Sequence, residues 1–195
     1  MKRLILVLGW FLATAHSVTA QRAIPHGMVE SGMLSFDGSA TTGDFVGSTE
    51  SMTGELVGGP DLTTARGWVE APVQTLKTGN GKRDRDLNKS MESEQFPTMR
   101  FDLSDVLPGA GSGDSVDVTL HGTLTIHGIA REVSLPASLN FLAGSIRVRC
   151  QFPLNLKDYR IGGLTKMLGV LRMSPSILVH VDLQFRLEEE LPPTP

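Results

Sequence analysis

Cysteine is nearly absent from this chain, which carries Cys150 and no other. A single thiol forms no internal disulfide, and it cannot supply the several cysteines that structural zinc sites often use. Cys150 also falls on the apolar side of a predicted strand, where a lone thiol usually serves as a small apolar filler. We expect no disulfide, no cofactor and no metal.

Long hydrophobic runs are also scarce, and the single one covers the 12 residues from Leu4 to Ala15. It is shorter than the roughly 20 residues that a membrane-spanning helix needs. Two basic residues precede it and the small residues Val18 to Ala20 follow, which is the order of a secretory signal peptide. We expect residues 1–20 to be removed, leaving a secreted chain without an integral membrane span. An uncleaved anchor is the alternative.

The chain has no strong excess of charge of either sign. Its 18 Lys and Arg and 21 Asp and Glu give a formal net charge of -3. Loss of Lys2 and Arg3 with the signal peptide changes this value to -5. A mildly acidic protein presents no positive field to nucleic acid, so we expect no nucleic-acid partner.

Alternation of apolar and polar residues is the main feature of the second half of the chain. From Ser115 to Ile126 the apolar residues take even positions, which predicts a strand with one dry face. A matching alternation resumes over 133–141 and 146–154, after turns at His127-Gly128 and Ala143-Gly144. The pattern predicts three antiparallel strands, and residues 177–187 predict one more.

The first half of the chain gives weaker signals. They predict four strands over residues 32–39, 45–56, 67–76 and 98–103, and a helix over 84–93. The glycine-rich stretch 109–114 is predicted to be a flexible hairpin connection. The long loop 157–175 contains Leu164 and Leu168, whose spacing suits one face of a second short helix.

Two segments have a specific combination of features. Residues 79–103 (GNGKRDRDLNKSMESEQFPTMRFDL) join a turn, a charged helix and a Phe-Pro-x-x-x-Phe motif that enters a strand. Residues 121–136 (HGTLTIHGIAREVSLP) follow farther along the chain. Together they resemble the YceI-like family of secreted bacterial proteins.

The resemblance implies an all-β fold, an eight-stranded antiparallel lipocalin-like barrel with one or two short helices near its ends. It also implies a periplasmic protein whose barrel interior holds a polyisoprenoid or another amphiphilic lipid. The count of eight predicted strands agrees with this fold. The expected organisation is a signal peptide at 1–20, a lead segment at 21–31, the barrel at 32–187 and a flexible tail at 188–195.

Strand parity predicts which side chains face the barrel interior, and nearly all of them are uncharged. They are the candidate ligand-binding residues: Phe36, Val69, Val73, Phe101, Leu120, Leu124, Val133, Leu135, Leu139, Val148, Phe152, Val179, Val181 and Phe185. A second candidate set lies in the long loop and suits a lid or a head-group contact: Lys157, Tyr159, Arg160, Leu164, Leu168 and Arg172. The same apolar set would suit a plain, filled core, so a ligand-free accessory protein that acts through its surface is the alternative function.

Catalysis is not expected, because the histidines do not converge. His121 and His180 fall at outward positions of separate strands, and His127 lies in a turn. A zinc site that uses His121 and His180 would need these strands to be neighbours, and no further residues with ligand spacing complete it. We expect no catalytic residue.

Overall fold

The computed structural model describes residues 23–41, 43–162, 165–166 and 171–188, with the backbone alone for 165–166 and 171–172. The predicted signal peptide lies outside the described residues, as does the predicted tail after residue 188. The strands are β1 Gly27–Ala40, β2 Gly43–Thr49, β3 Thr53–Val57, β4 Arg66–Pro72, β5 Thr98–Ser112, β6 Ser115–Ile126, β7 Ile129–Leu142, β8 Ser145–Asn155, β9 Thr165–Lys166, β10 Leu171–Arg172 and β11 Ser176–Leu187.

Nine of these strands form one antiparallel sheet that closes on itself. The order is β11, β8, β7, β6, β5, β4, β3, β1 and β2. β2 and β3 act as one strand of the wall, because β1 pairs with β2 over 34–40 and with β3 over 27–28. β1 also pairs with β11 from Gly27 to Asp37, which closes the circle. The predicted eight-stranded barrel is confirmed.

Bulges in two strands change which residues face inward. The register of β1 against β11 shifts between Val29 and Ser31. The register of β5 against β6 shifts between Leu103 and Asp105. Each bulge inserts one extra residue, so inward positions change from odd to even within both strands.

Several predicted strand limits are wrong in the first half of the chain. β1 begins at Gly27 rather than residue 32, and the predicted strand 45–56 is divided at 50–52. The predicted strand 67–76 ends at Pro72, because Val73–Thr75 forms a 3₁₀ turn. In that turn the Val73 N–H donates to the Pro97 carbonyl at 2.8 Å, instead of joining the sheet.

The glycine-rich stretch 109–114 is a hairpin connection, as predicted, but most of it is strand rather than a flexible loop. β5 continues to Ser112, and only Gly113 and Asp114 turn the chain into β6. Gly113 has φ +60°, a left-handed conformation that glycine adopts without steric cost.

The helix α1, Gly81–Ser90, begins three residues before its predicted start. The Asn80 side chain caps it by accepting hydrogen bonds from the backbone N–H groups of Lys82 and Arg83, at 3.0 and 3.1 Å. Asp84 lies in the first turn, as expected, and accepts a hydrogen bond from the Thr78 hydroxyl at 2.6 Å. This bond lowers the pKa of Asp84 and ties α1 to the loop before it.

The second predicted helix lies in the long loop. There, β9 pairs with β10 in a small antiparallel sheet, so the described residues of the predicted helix are strand. Where the loop begins, Leu156–Tyr159 forms a 3₁₀ turn. Leu164 and Leu168 lie outside the described residues. Within the described ranges, no helix is long and apolar enough to span a membrane.

Candidate functional site

A partly open cavity of about 270 Å³ lies inside the barrel beneath α1, and we call it the helix-end cavity. Its lining is apolar except for four polar residues. The apolar residues are Leu34, Phe36, Ala40, Phe45, Leu76, Leu87, Met91, Met99, Leu124, Ile126, Phe152, Leu154, Leu156, Ile161, Met173, Ile177 and Val179. The polar ones, Thr41, Arg83, Asp86 and Ser90, form what we call the mouth.

One face of α1 supplies most of the mouth. Arg83, Asp86 and Ser90 recur with Leu87 at a spacing of three or four residues, so they share one side of the helix. The Arg83 guanidinium lies 4.1 Å from the centre of the Phe45 ring, a favourable cation–π geometry. Sequence reasoning missed these residues, because a charged helical face usually indicates contact with solvent alone.

A second cavity of about 160 Å³ lies farther along the barrel axis, and we call it the far cavity. Apolar side chains of β5 to β8 and β11 form most of its lining, among them Leu120, Leu139, Val148 and Phe185. Three charged residues also border it, Glu55, Glu70 and Arg100. Cys150 also lines it, and burial raises the pKa of its thiol to about 11. The thiol is therefore protonated at neutral pH and a weak nucleophile.

Four residues line both cavities and separate them. They are Leu34, Met99, Leu124 and Phe152, from β1, β5, β6 and β8, and we call them the partition. Because the two cavities meet at the same four side chains, they are two compartments of one barrel interior.

Two inward-facing glycines leave the space that two interior aromatic rings occupy. A Cβ on Gly47 would lie 2.3 Å from the Phe36 ring, and a Cβ on Gly122 would lie 2.8 Å from the Phe101 ring. Both values are far below a van der Waals contact, so only glycine leaves room for these rings. Phe36 and Phe101 are thereby fixed as parts of the cavity walls.

The structure places most of the predicted interior residues around the two cavities. Twelve of them line one or both: Phe36, Val69, Phe101, Leu120, Leu124, Leu135, Leu139, Val148, Phe152, Val179, Val181 and Phe185. Val73 and Val133 line neither cavity. Val73 is fully buried in its 3₁₀ turn, and Val133 packs against the core from β7. Contact of this set with a ligand stays a prediction.

The predicted lid residues are placed differently from the mouth. Lys157 and Arg160 are exposed, Tyr159 is buried, and none of the three lines either cavity. Their neighbours Leu156 and Ile161 line the helix-end cavity instead. The segment therefore contributes apolar wall rather than a charged contact. Leu164 and Leu168 lie outside the described residues, as does the side chain of Arg172.

The histidines lie apart in the described structure. His121 hydrogen-bonds Ser134 at 2.8 Å, and His180 pairs with Asp37 at 2.9 Å on the outer wall. Their strands, β6 and β11, are separated by β7 and β8, so the two rings are not neighbours. His127 donates to the Tyr159 carbonyl at 3.0 Å from its turn. Among the residues with described positions, no group of three His, Cys, Asp or Glu could hold a metal.

Ion pairs join strands on the outer wall. Arg147 on β8 donates two hydrogen bonds to Asp182 on β11, at 2.7 and 2.6 Å, and Arg149 adds a third at 3.4 Å. The bonds from Arg147 lower the pKa of Asp182. These contacts stabilise the wall on the face opposite the cavities.

The fold and interior define a class, that of closed eight-stranded antiparallel barrels with an apolar, partly hollow interior. Within that class, the family model for the YceI-like domain matches residues 10–188. The chain therefore belongs to the YceI-like family. A comparison with curated proteins found no match.

Solved structures share this fold at low sequence identity. A polyisoprenoid binding domain from Saccharophagus degradans, implicated in plant cell wall breakdown, has TM-score 0.70 and 15% identity over 84% of this chain and 99% of its own. BcnA of Burkholderia cenocepacia has TM-score 0.67 and 13% identity over 78% and 95%. A Campylobacter jejuni YceI protein has TM-score 0.55 and 16% identity over 97% and 100%.

Proposed function

We propose that this chain is a secreted binding protein that holds an amphiphilic lipid, with a polyisoprenoid as the first candidate, and carries out no chemical turnover. The apolar tail lies in the helix-end cavity, and the polar head stays at the mouth beside α1. The observation that carries this proposal is the helix-end cavity itself, which combines an apolar lining with a polar mouth at one end.

The lining favours a tail for a simple physical reason. Burial of apolar surface is worth about 25 cal/mol per Å², so a chain that buries a few hundred Å² gains several kcal/mol before ordering costs are deducted. The helix-end cavity, at about 270 Å³, is near the lower limit of typical small-ligand sites. A slim hydrocarbon chain fits such a space better than a broad ring system.

The mouth favours a polar head group. Arg83 is half-buried against Phe45, so its guanidinium stays beside the opening with donors available to an oxygen atom. Asp86 brings a carboxylate to the same face of the helix. A guanidinium beside the opening suits a hydroxyl, carbonyl or similar head that accepts hydrogen bonds.

Similarity supports the same ligand class. One structural relative, at 15% identity, is a polyisoprenoid binding domain. The fold is shared across most of both chains, and this chain retains a hollow apolar interior of its own. A polyisoprenoid is therefore the first lipid to test.

Two features of the interior support binding without turnover. Among the described histidines, none lines either cavity, so the usual general base is missing from the cavity walls. The Cys150 thiol faces the far cavity with a raised pKa, which makes it a poor nucleophile.

Secretion is supported by the first twenty residues, whose basic, apolar and small-residue regions follow the order of a signal peptide. Expression of the full chain in a Gram-negative host tests this part. N-terminal sequencing of the periplasmic protein is expected to begin at Gln21. Recovery of the chain in the cytoplasm with Met1 intact would contradict secretion.

Native mass spectrometry tests lipid binding. The protein is stripped of lipid by denaturation and refolding, incubated with geranylgeraniol, and compared with a Val179→Arg variant and a Val46→Arg control. Val179 lines the helix-end cavity, whereas Val46 is 55% exposed on the outer wall. We expect one prenol per wild-type or Val46→Arg chain and none on Val179→Arg.

Circular dichroism shows whether Val179→Arg folds, and Leu154→Gln serves as a milder second variant in the same cavity. Equal prenol occupancy in all folded variants contradicts binding inside the barrel. A wild-type protein that takes up no prenol, fatty alcohol or fatty acid contradicts the lipid-binding function and favours a surface-acting accessory protein.

A further inference from the structure

We propose that the partition of Leu34, Met99, Leu124 and Phe152 is a movable barrier that sets the length of the tail the barrel accepts. This inference rests on the proposed function and assigns the specificity of the same interior to these four side chains. Short tails end at the partition, and longer tails displace it and enter the far cavity.

The four residues project from four strands of the wall, two of which face each other across the barrel. Counting β2 and β3 as one strand, β1 and β6 lie four strands apart in a wall of eight, so Leu34 and Leu124 face each other across the barrel. Met99 comes from β5 and Phe152 from β8. Side chains that meet from several directions close the axis of the barrel, whereas side chains on one strand would only narrow it.

The partition consists of side chains alone, and two of them can change conformation at low cost. Met99 has a flexible thioether chain and is only half-buried. Phe152 is buried against both cavities, so its ring can move into free space on either side. Phe36 and Phe101, by contrast, are seated over Gly47 and Gly122 and are held in place.

The far cavity provides the reason for a long tail to cross. Its lining includes Leu120, Leu139 and Val148, so each methylene group that enters replaces contact with water by contact with apolar side chains. A tail confined to the helix-end cavity gains nothing from this lining. The preference for a long tail therefore depends on two free energies. One is gained when methylene groups enter the far cavity, and the other is the cost of moving the partition.

Labelling of Cys150 tests the barrier without any lipid. Cys150 is the sole cysteine and lines the far cavity, so an apolar thiol reagent that enters from the mouth must pass the partition. We compare the rate of N-ethylmaleimide labelling, followed by mass spectrometry at one fixed pH, in wild type, Met99→Ala and the control Met28→Ala. Met28 is 52% exposed on the outer wall.

We expect Met99→Ala to react about tenfold faster than wild type, equivalent to about 1.4 kcal/mol of barrier, and Met28→Ala to match wild type. Circular dichroism and urea unfolding confirm that each variant is folded. If Met99→Ala does not fold, Phe152→Leu replaces it with the same expectation. Equal labelling rates in wild type and the folded partition variant overturn the proposal.

Tail-length selection is then measured with prenols. Native mass spectrometry follows competition between farnesol and the longer geranylgeraniol on wild type, Met99→Ala and Val148→Phe, the last of which fills the far cavity. We expect the ratio of geranylgeraniol to farnesol to rise about tenfold in Met99→Ala and to fall below the wild-type ratio in Val148→Phe.

The two experiments separate the two claims. A wild-type protein that binds neither prenol contradicts the proposed function, even when Met99→Ala speeds Cys150 labelling and the barrier itself is supported. Binding of both prenols with the same ratio in all variants would support the proposed function. The same result would overturn the assignment of tail length to the partition.

Discussion

The two ends of the barrel are closed in different ways. At the far end, Ile24 and Gly59 exchange two backbone hydrogen bonds of 2.8 Å, and Leu62 and Ala65 are each 2% exposed beneath them. At the helix end, α1 lies over the cavity, and no residue within the helix is buried. Backbone pairing therefore holds the far end together, and half-buried side chains cover the helix end.

The attachment of α1 shows how such a cover can move. Before the helix, Ser48 and Lys77 exchange two backbone hydrogen bonds of 2.9 Å. After the helix, the Pro97 carbonyl accepts a hydrogen bond of 2.8 Å from the Val73 N–H. Both ends of the helical segment are thus held to the barrel. Between them, Leu87 packs against the cavity, Arg83 lies over the Phe45 ring and Asp84 bonds to Thr78, so the middle of the cover is held by side-chain contacts rather than by backbone pairing.

Truncation of one leucine at each end gives the largest expected effect. We expect Leu62→Ala to lower the free energy of unfolding by about 3 kcal/mol, because it removes a fully packed side chain. Leu87→Ala removes a half-buried side chain, so we expect a loss of about 1 kcal/mol. Urea unfolding followed by circular dichroism measures both.

Release of bound prenol adds a second readout for the helix end. Leu87→Ala is expected to release geranylgeraniol faster than wild type, while Leu107→Ala, at a 57% exposed position on β5, releases it at the wild-type rate. Equal losses of stability in Leu62→Ala and Leu87→Ala would mean that both ends are packed alike, and would contradict tighter packing at the far end.

A pair of glycines gives an intermediate effect. A Cβ at Gly58 would lie 1.9 Å from the Ile24 carbonyl oxygen, so Gly58→Ala is expected to cost about 2 kcal/mol by disrupting the far-end closure. A Cβ at Gly81 meets nothing nearer than Arg85 at 3.7 Å, so Gly81→Ala is expected to be neutral or slightly stabilising. Thermal unfolding compares them, and an unaffected Gly58→Ala would show that Ile24 does not seal the barrel.

The smallest effect concerns the outer wall. Asp182 has a lowered pKa, so its ion pairs stabilise the fold above the pKa of the unfolded carboxyl, about 3.9, and are lost as pH falls through the folded value. These groups are partly exposed, so Asp182→Asn is expected to cost less than about 1 kcal/mol at neutral pH. Urea unfolding at neutral and acidic pH checks this. If the difference in the free energy of unfolding between Asp182→Asn and wild type were as large in acid as at neutral pH, the ion pairs would not be its cause.

Much of the wall could be predicted from the sequence, because alternation reports burial directly. The pattern from Ser115 to Ile126 gave β6 with its observed limits, and the turns at His127 and Ala143 are those of the structure. In these hairpins each strand pairs with its neighbour in the chain, so local pattern and tertiary structure agree.

The features that the sequence did not predict also have physical causes. The bulges of β1 and β5 depend on pairing with strands elsewhere in the wall, which single-strand parity does not contain. The mouth was missed because Arg83 and Asp86 look like solvent-facing charges until the barrel is placed beneath α1. Lys157 and Arg160 were preferred for being charged residues in a long loop, yet they face away from the cavities.

The most direct test of the central claim is photo-crosslinking with a geranylgeraniol analogue that carries a diazirine at the end of its tail. Peptide mass spectrometry then locates the adduct on the folded protein. The account predicts adducts on cavity-lining residues such as Phe152 or Val148. Adducts confined to exposed residues of the outer wall, such as Val46, Leu107 or Leu142, would contradict it.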